Sequence, residues 1–140
     1  MIDGLRIADA FSTWFMVGVI WLVQLVVYPS FHDIDPGRFC AAMSRHQKWM
    51  ARIVILPMFV ESATSLMLLA RQPDSLIDRC GCLCVVTWWF STVLIQIPMH
   101  KALLTGGPNE PLLKRLVDWN WPRTVAWTVH GVLCVIALAP

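Results

Sequence analysis

Four apolar segments, each long enough to cross a lipid bilayer and joined by short connections, constrain this chain more than any other feature. They cover residues 11–28, 49–70, 80–98 and 122–139. Each holds about 18 to 22 residues, and a helix rising about 1.5 Å per residue needs about 20 to cross a hydrocarbon layer about 30 Å thick. Backbone polar groups have no water to bond inside lipid, so such segments must be helical. The expected fold is an all-α, polytopic four-transmembrane-helix bundle. Between spans 3 and 4, residues 110–118 read as a short amphipathic helix on the cytoplasmic surface.

Composition agrees with that reading. Hydrophobic residues make up 57% of the chain and charged residues 14%, too little charge to cover a soluble surface of this size. At 140 residues there is room for a single domain, 1–140. A net charge of +2, without a basic run interleaved with aromatics, gives no reason to expect nucleic acid as a partner. The lipid bilayer is the expected partner, with a homo-oligomer or a membrane complex open alternatives.

The leader MIDGLRIADA carries two aspartates against one arginine, and Tyr28-Pro29-Ser30 is no small-x-small cleavage site, so the first span is expected to remain attached. Arg38, Arg45, Lys48, Arg52, Lys101, Lys114, Arg115 and Arg123 flank one side of the bundle; Arg6, Arg71 and Arg79 flank the other. The positive-inside bias then puts both termini in the periplasm of a bacterial cytoplasmic membrane. Asp35-Pro36 reads as a helix cap and first-turn proline, so the second helix is expected to begin near Pro36, before its apolar part. Asn120 is expected to cap the last helix, and no internal repeat is visible.

With spans alternating in direction, His32, His46 and His100 fall at junctions on one side, and His130 lies about two turns inside the fourth span. Glu61 is the polar outlier, about 16 Å past the boundary near Met50 at helical rise. A carboxylate at that depth costs on the order of 2.5 to 3.5 kcal/mol, by comparison with Asp on a lenient insertion scale. Gln24, Glu61, Gln96 and His130, one from each helix, are expected to line a single pocket, with His46 and His100 at its mouth. Gln24 and Gln96 also fit a role as interhelical glue, and His32 a solvated loop position. Cys80, Cys82, Cys84 and Cys134 fit small apolar packing residues, because no C-x-x-C or disulfide framework appears, while Cys80 and Cys84, on one helical face, also allow a soft-metal or redox role.

Imidazoles beside one carboxylate are ligands for iron, copper or zinc, and two opposed histidines can hold a haem. On that basis His46, His100, His130 and Glu61 form the expected metal set, although no signature spacing such as H-x-x-x-H is present. Without metal, Glu61 and His130 can act as a base and proton relay, with Arg123 orienting a substrate. His46, His100, Gln96 and Gln24 would contact the cofactor or line the rim.

The run from Trp21 to Phe31 (W-L-V-Q-L-V-V-Y-P-S-F), then Gln96-Ile-Pro-Met-His100, then Asn120-Trp-Pro-Arg-Thr124 with Trp127, resembles a family of small, largely uncharacterised bacterial four-helix membrane proteins. More distantly it is similar to the anthrone-oxygenase-like membrane family. That likeness implies oxidation of an aromatic or polyketide-like substrate by dioxygen, with roles transferring to His100, Asn120, Arg123 and His130. Met99-His100 stands where the distant family commonly has asparagine, and His130 follows Arg123 rather than preceding it.

The expected function is a membrane-embedded oxidoreductase or oxygenase-like enzyme for a hydrophobic, lipid-soluble substrate. The alternative is a non-catalytic accessory subunit or assembly factor that buries faces such as Trp88 and Trp89 against partner helices. A proton-coupled transporter fits less well, since four short helices without broken segments leave little room for alternating access.

Overall fold

The computed structural model describes residues 3–139. Helix α1 runs over Gly4–Asp33, α2 over Pro36–Arg71 and α3 over Leu76–Gly106. A short α4, Glu110–Asp118, then turns at Trp119-Asn120 into α5, Trp121–Leu138. No strand occurs among the described residues, and four helices are long and apolar enough to cross a membrane.

Local chemistry explains where the helices start. Asp3 accepts from the Leu5 amide, Asp35 from Gly37 ahead of first-turn Pro36, Ser75 from Asp78 and Asn109 from Leu112. Helix α3 stops at Gly107, whose φ of 77° is a left-handed conformation that suits glycine. Asn120 departs from the sequence expectation. It occupies the cap position of α5 but makes no capping bond, because its side chain is engaged inside the bundle.

Burial is inverted relative to a water-soluble protein. Phe11, Leu56 and Leu83 are exposed, whereas Asp9, Glu61, Asp78 and Arg123 are buried. An apolar exterior around paired polar groups is what lipid demands of a bundle. One apolar cluster centres on Met16, Ile20, Trp88 and Trp127, and a second on Tyr28, Phe39, Met43 and Leu103. The two indoles of Trp88 and Trp127 stack at 4.9 Å, with planes 16° apart.

Two π turns interrupt the odd-numbered spans. Val23–Val27 in α1 and Thr92–Gln96 in α3 each end two residues before a proline, Pro29 or Pro98. There the Tyr28 amide bonds to the Val23 carbonyl and the Ile97 amide to Thr92, one residue further back than in an α-helix. Proline lacks an N–H and its ring crowds the preceding turn, which favours this widened register. The same step along the chain that takes Val23 to Thr92 and Pro29 to Pro98 also takes Asp9 to Asp78 and Glu61 to His130. The correspondence is one of spacing along the chain. Helix α2 contacts α3 along Leu76–Ser91 and again along Ile97–Gly106, but scarcely at the π turn between them. The seam opens there.

Candidate functional site

The polar groups gather in two places rather than in the single chamber expected from the sequence. The first is a closed cluster towards the end of the bundle where Arg71 pairs with Asp3 and Arg6 with Asp78. His130 Nδ1 lies 2.7 Å from Glu61 Oε1, and the Trp127 indole N–H donates to Glu61 Oε2 at 2.8 Å. A carboxylate can only accept, so the imidazole N–H of this bond sits on Nδ1 and Nε2 is left for another partner. Nε2 faces Asp9 Oδ2 at 3.5 Å. Asp9 Oδ1 accepts from Thr64 at 2.7 Å and from Ser65 at 2.9 Å, while the Cys134 thiol approaches Oδ2 at 3.4 Å. Glu61 and His130 therefore meet, and both are buried without access to lipid.

The second place is a cavity of about 470 Å³ where the α2–α3 seam opens. Met16, Ile20, Met50, Val54, Met58 and Trp89 form its apolar wall, and Ile55 and Ile97, both exposed, stand on its rim. Its polar side carries Tyr28, His46, Gln96, His100 and Arg123. The Tyr28 hydroxyl is 3.0 Å from His100 Nε2, and the rings of His46 and His100 are 5.8 Å apart. Phe31 packs edge-on to His46 at 5.1 Å.

Hydrogen bonding separates the two places. In the closed cluster both oxygens of Glu61 and both of Asp9 have partners. Among the described residues, Gln96 Nε2, His100 Nδ1 and Arg123 Nε around the cavity have none, and neither do Thr13 Oγ1, Trp88 Nε1 and Ser91 Oγ away from it. Among the described residues the Arg123 guanidinium donates to Asn120 Oδ1 at 3.2 Å, has the Tyr28 hydroxyl as a further polar neighbour and lies 5.2 Å over the Trp127 ring; no carboxylate pairs with it. Trp127 stands between the two, its N–H on Glu61 and its ring beneath Arg123.

The expected residues thus divide. Glu61 and His130 belong to the closed cluster, and His46, His100, Gln96 and Arg123 to the cavity. The expected metal set of His46, His100, His130 and Glu61 is split between them and does not share one coordination sphere. Gln24 lines neither. Its Oε1 accepts from Asn120 at 2.8 Å and Thr124 at 3.2 Å, and its Nε2 donates to the Val117 carbonyl, so it ties α1 to α4 and to the start of α5. His32 pairs with Glu110 at 2.7 Å on the exposed surface.

Asp9, Cys134 and Tyr28 were not foreseen as site residues. Asp9 lies outside the apolar window that begins at Phe11, although it shares a helical face with Thr13 and Met16, both buried. Tyr28 reads as an interfacial aromatic before Pro29, yet it is buried. No family model, no curated protein and no solved structure matches the chain.

Proposed function

We propose that this chain binds a lipid-soluble molecule with an acidic or carbonyl-bearing head in the α2–α3 cavity, and acts on it as a small membrane oxidoreductase or oxygenase-like enzyme. Arg123 carries the reading. A buried guanidinium without a carboxylate is costly to keep, and an anionic or strongly accepting ligand oxygen compensates it. Gln96 and His100 hold further polar nitrogens beside the same cavity that have no protein partner. The wall of methionine, valine and tryptophan suits an apolar tail or ring, and the exposed rim at Ile55 and Ile97 gives it a route from the bilayer.

The chain's own residues supply binding, orientation and a proton path. Arg123 and Gln96 hold the head, and the Tyr28–His100 pair hands a proton to or from it. The electron acceptor is dioxygen or a quinone, which must enter the same cavity. We place the protein in a bacterial cytoplasmic membrane with the cavity's polar end towards the cytoplasm.

The accessory-subunit alternative would need another face than the one expected from the sequence, because Trp88 is fully buried and Trp89 partly so, with its N–H donating to Ser62 at 2.9 Å.

The test uses the detergent-purified chain with a long-chain fatty acid and a prenylated quinone as probes, read by quenching of tryptophan fluorescence. Saturable binding of either one is expected, weakened about 30-fold or more in Arg123→Ala, because losing one partner of a buried charged contact costs about 2 to 5 kcal/mol. Equal affinity in the wild type and Arg123→Ala contradicts the proposal.

A further inference from the structure

We infer that Asp9, His130 and Cys134 form a binding site for one divalent first-row transition ion of the Zn²⁺ class, inside the closed cluster and apart from the cavity. The three residues come from α1 and α5, and their donor atoms all lie within 4.8 Å of one another. Asp9 Oδ2 is 3.5 Å from His130 Nε2 and 3.4 Å from Cys134 Sγ. In a tetrahedral shell with bonds of about 2.0 Å to oxygen and nitrogen and about 2.3 Å to sulfur, neighbouring donors lie roughly 3.3 to 3.5 Å apart. Both separations from Asp9 match such a shell, and the third, between Nε2 and Sγ, lies within 4.8 Å.

The surroundings of the donors support the same reading. In the imidazole and the carboxylate, the atom that would not touch the ion is tied elsewhere. His130 Nδ1 is held by Glu61, the carboxylate–histidine arrangement that fixes the tautomer and turns Nε2 towards a metal. Asp9 Oδ1 takes the hydroxyls of Thr64 and Ser65, which leaves Oδ2 to face Nε2 and the thiol. A void of about 10 Å³, close to the size of one water or ion, is lined by Asp9, His130 and Cys134 and bordered by the Arg6–Asp78 pair. Gly81 keeps space open beside the imidazole: a Cβ there would stand 3.0 Å from His130 Nε2. Imidazole, thiolate and carboxylate together suit Zn²⁺, Co²⁺ or Cu²⁺ better than the oxygen-seeking Mg²⁺ or Ca²⁺.

Three protein donors leave the fourth corner for water or an external ligand. Binding requires the Cys134 thiol to lose the proton directed at Asp9 and His130 Nε2 to lose the one facing the same carboxylate, and the ion takes the place of both. Glu61 is a positioning residue in this scheme, acting through His130. The site uses no cavity residue, so it stands or falls separately from the proposed function.

Co²⁺ alone is the probe, added to the chelator-washed, detergent-solubilised full chain. One equivalent should bind with the visible bands of tetrahedral cobalt and a near-ultraviolet thiolate-to-cobalt band. Cys134→Ser, nearly isosteric, should remove the near-ultraviolet band and weaken binding at least tenfold while far-ultraviolet dichroism stays unchanged. Glu61→Gln should weaken binding about 10- to 100-fold and keep the thiolate band. The double variant His46→Ala/His100→Ala should bind as the wild type does. No stoichiometric cobalt, a thiolate band that survives in Cys134→Ser, or a site lost in the double cavity variant overturns the inference.

Discussion

The closed cluster around His130 and the open cavity around Arg123 are built from similar residue types at neighbouring depths, yet they solve the cost of burying charge in opposite ways. Around Glu61 the protein supplies every partner itself: an imidazole, an indole N–H, two hydroxyls and a thiol from α2 and α5 bond to two carboxylates on α1 and α2. Around Arg123 the partner set is incomplete, and three polar nitrogens face no partner. A satisfied buried network holds a fold together, and an unsatisfied one beside a void is characteristic of a place reserved for something else. On the two proposals above, the first region holds the bundle together around one metal ion and the second receives a lipid-soluble ligand.

That contrast can be broken by substitution. Glu61→Leu should produce the largest loss. It strands the Trp127 N–H and leaves the histidine beside Asp9 alone, a change worth about 3 to 5 kcal/mol for a severed buried pair. Thermal unfolding in detergent reads it as a sharply lower midpoint, or as a failure to accumulate folded protein. Trp127→Phe should cost about 1 to 3 kcal/mol, from the unpaired Glu61 oxygen it leaves. It touches both regions, since its ring also lies under Arg123, so it should also weaken ligand binding. If Trp127→Phe alters stability but leaves binding untouched, the two regions are independent of one another. Tyr28→Phe should cost least, about 0.5 to 1.5 kcal/mol for one hydrogen bond, and should slow turnover rather than unfold the chain. A Tyr28→Phe variant with unchanged turnover removes Tyr28 from the proton path.

Much of the fold is legible in the sequence for a simple reason: lipid imposes length and apolarity on every span, and Asp35-Pro36 marks a helix start chemically. The meeting of Glu61 with His130 is also legible, because two costly ionisable groups in one small bundle have few other ways to be compensated. Three features are hidden from it. The division into two sites depends on which end of the bundle His130 leans towards. Depth counted from Arg123 gives a distance along α5 but not the neighbours Asp9 and Gly81. Asp9 escapes because a hydropathy window discards a charged residue, even where helix α1 extends well past the window's edge. The π turns escape because a 3.6-residue wheel assumes unbroken register, and each inserted residue rotates the remainder of the helix by about 100°. Gln96 and His100 still share the cavity because both lie at or after the same π turn.

On the proposed function, Arg123 is retained for a ligand at the expense of the fold. The most direct measurement is the unfolding midpoint of ligand-free Arg123→Met beside the wild type in the same detergent. A midpoint equal to or above wild type is expected, since exchanging an uncompensated buried charge for an apolar side chain is neutral or stabilising by about 1 to 4 kcal/mol. A midpoint lowered as far as that of Glu61→Leu would contradict it, because Arg123 would then be one more paired strut of the bundle.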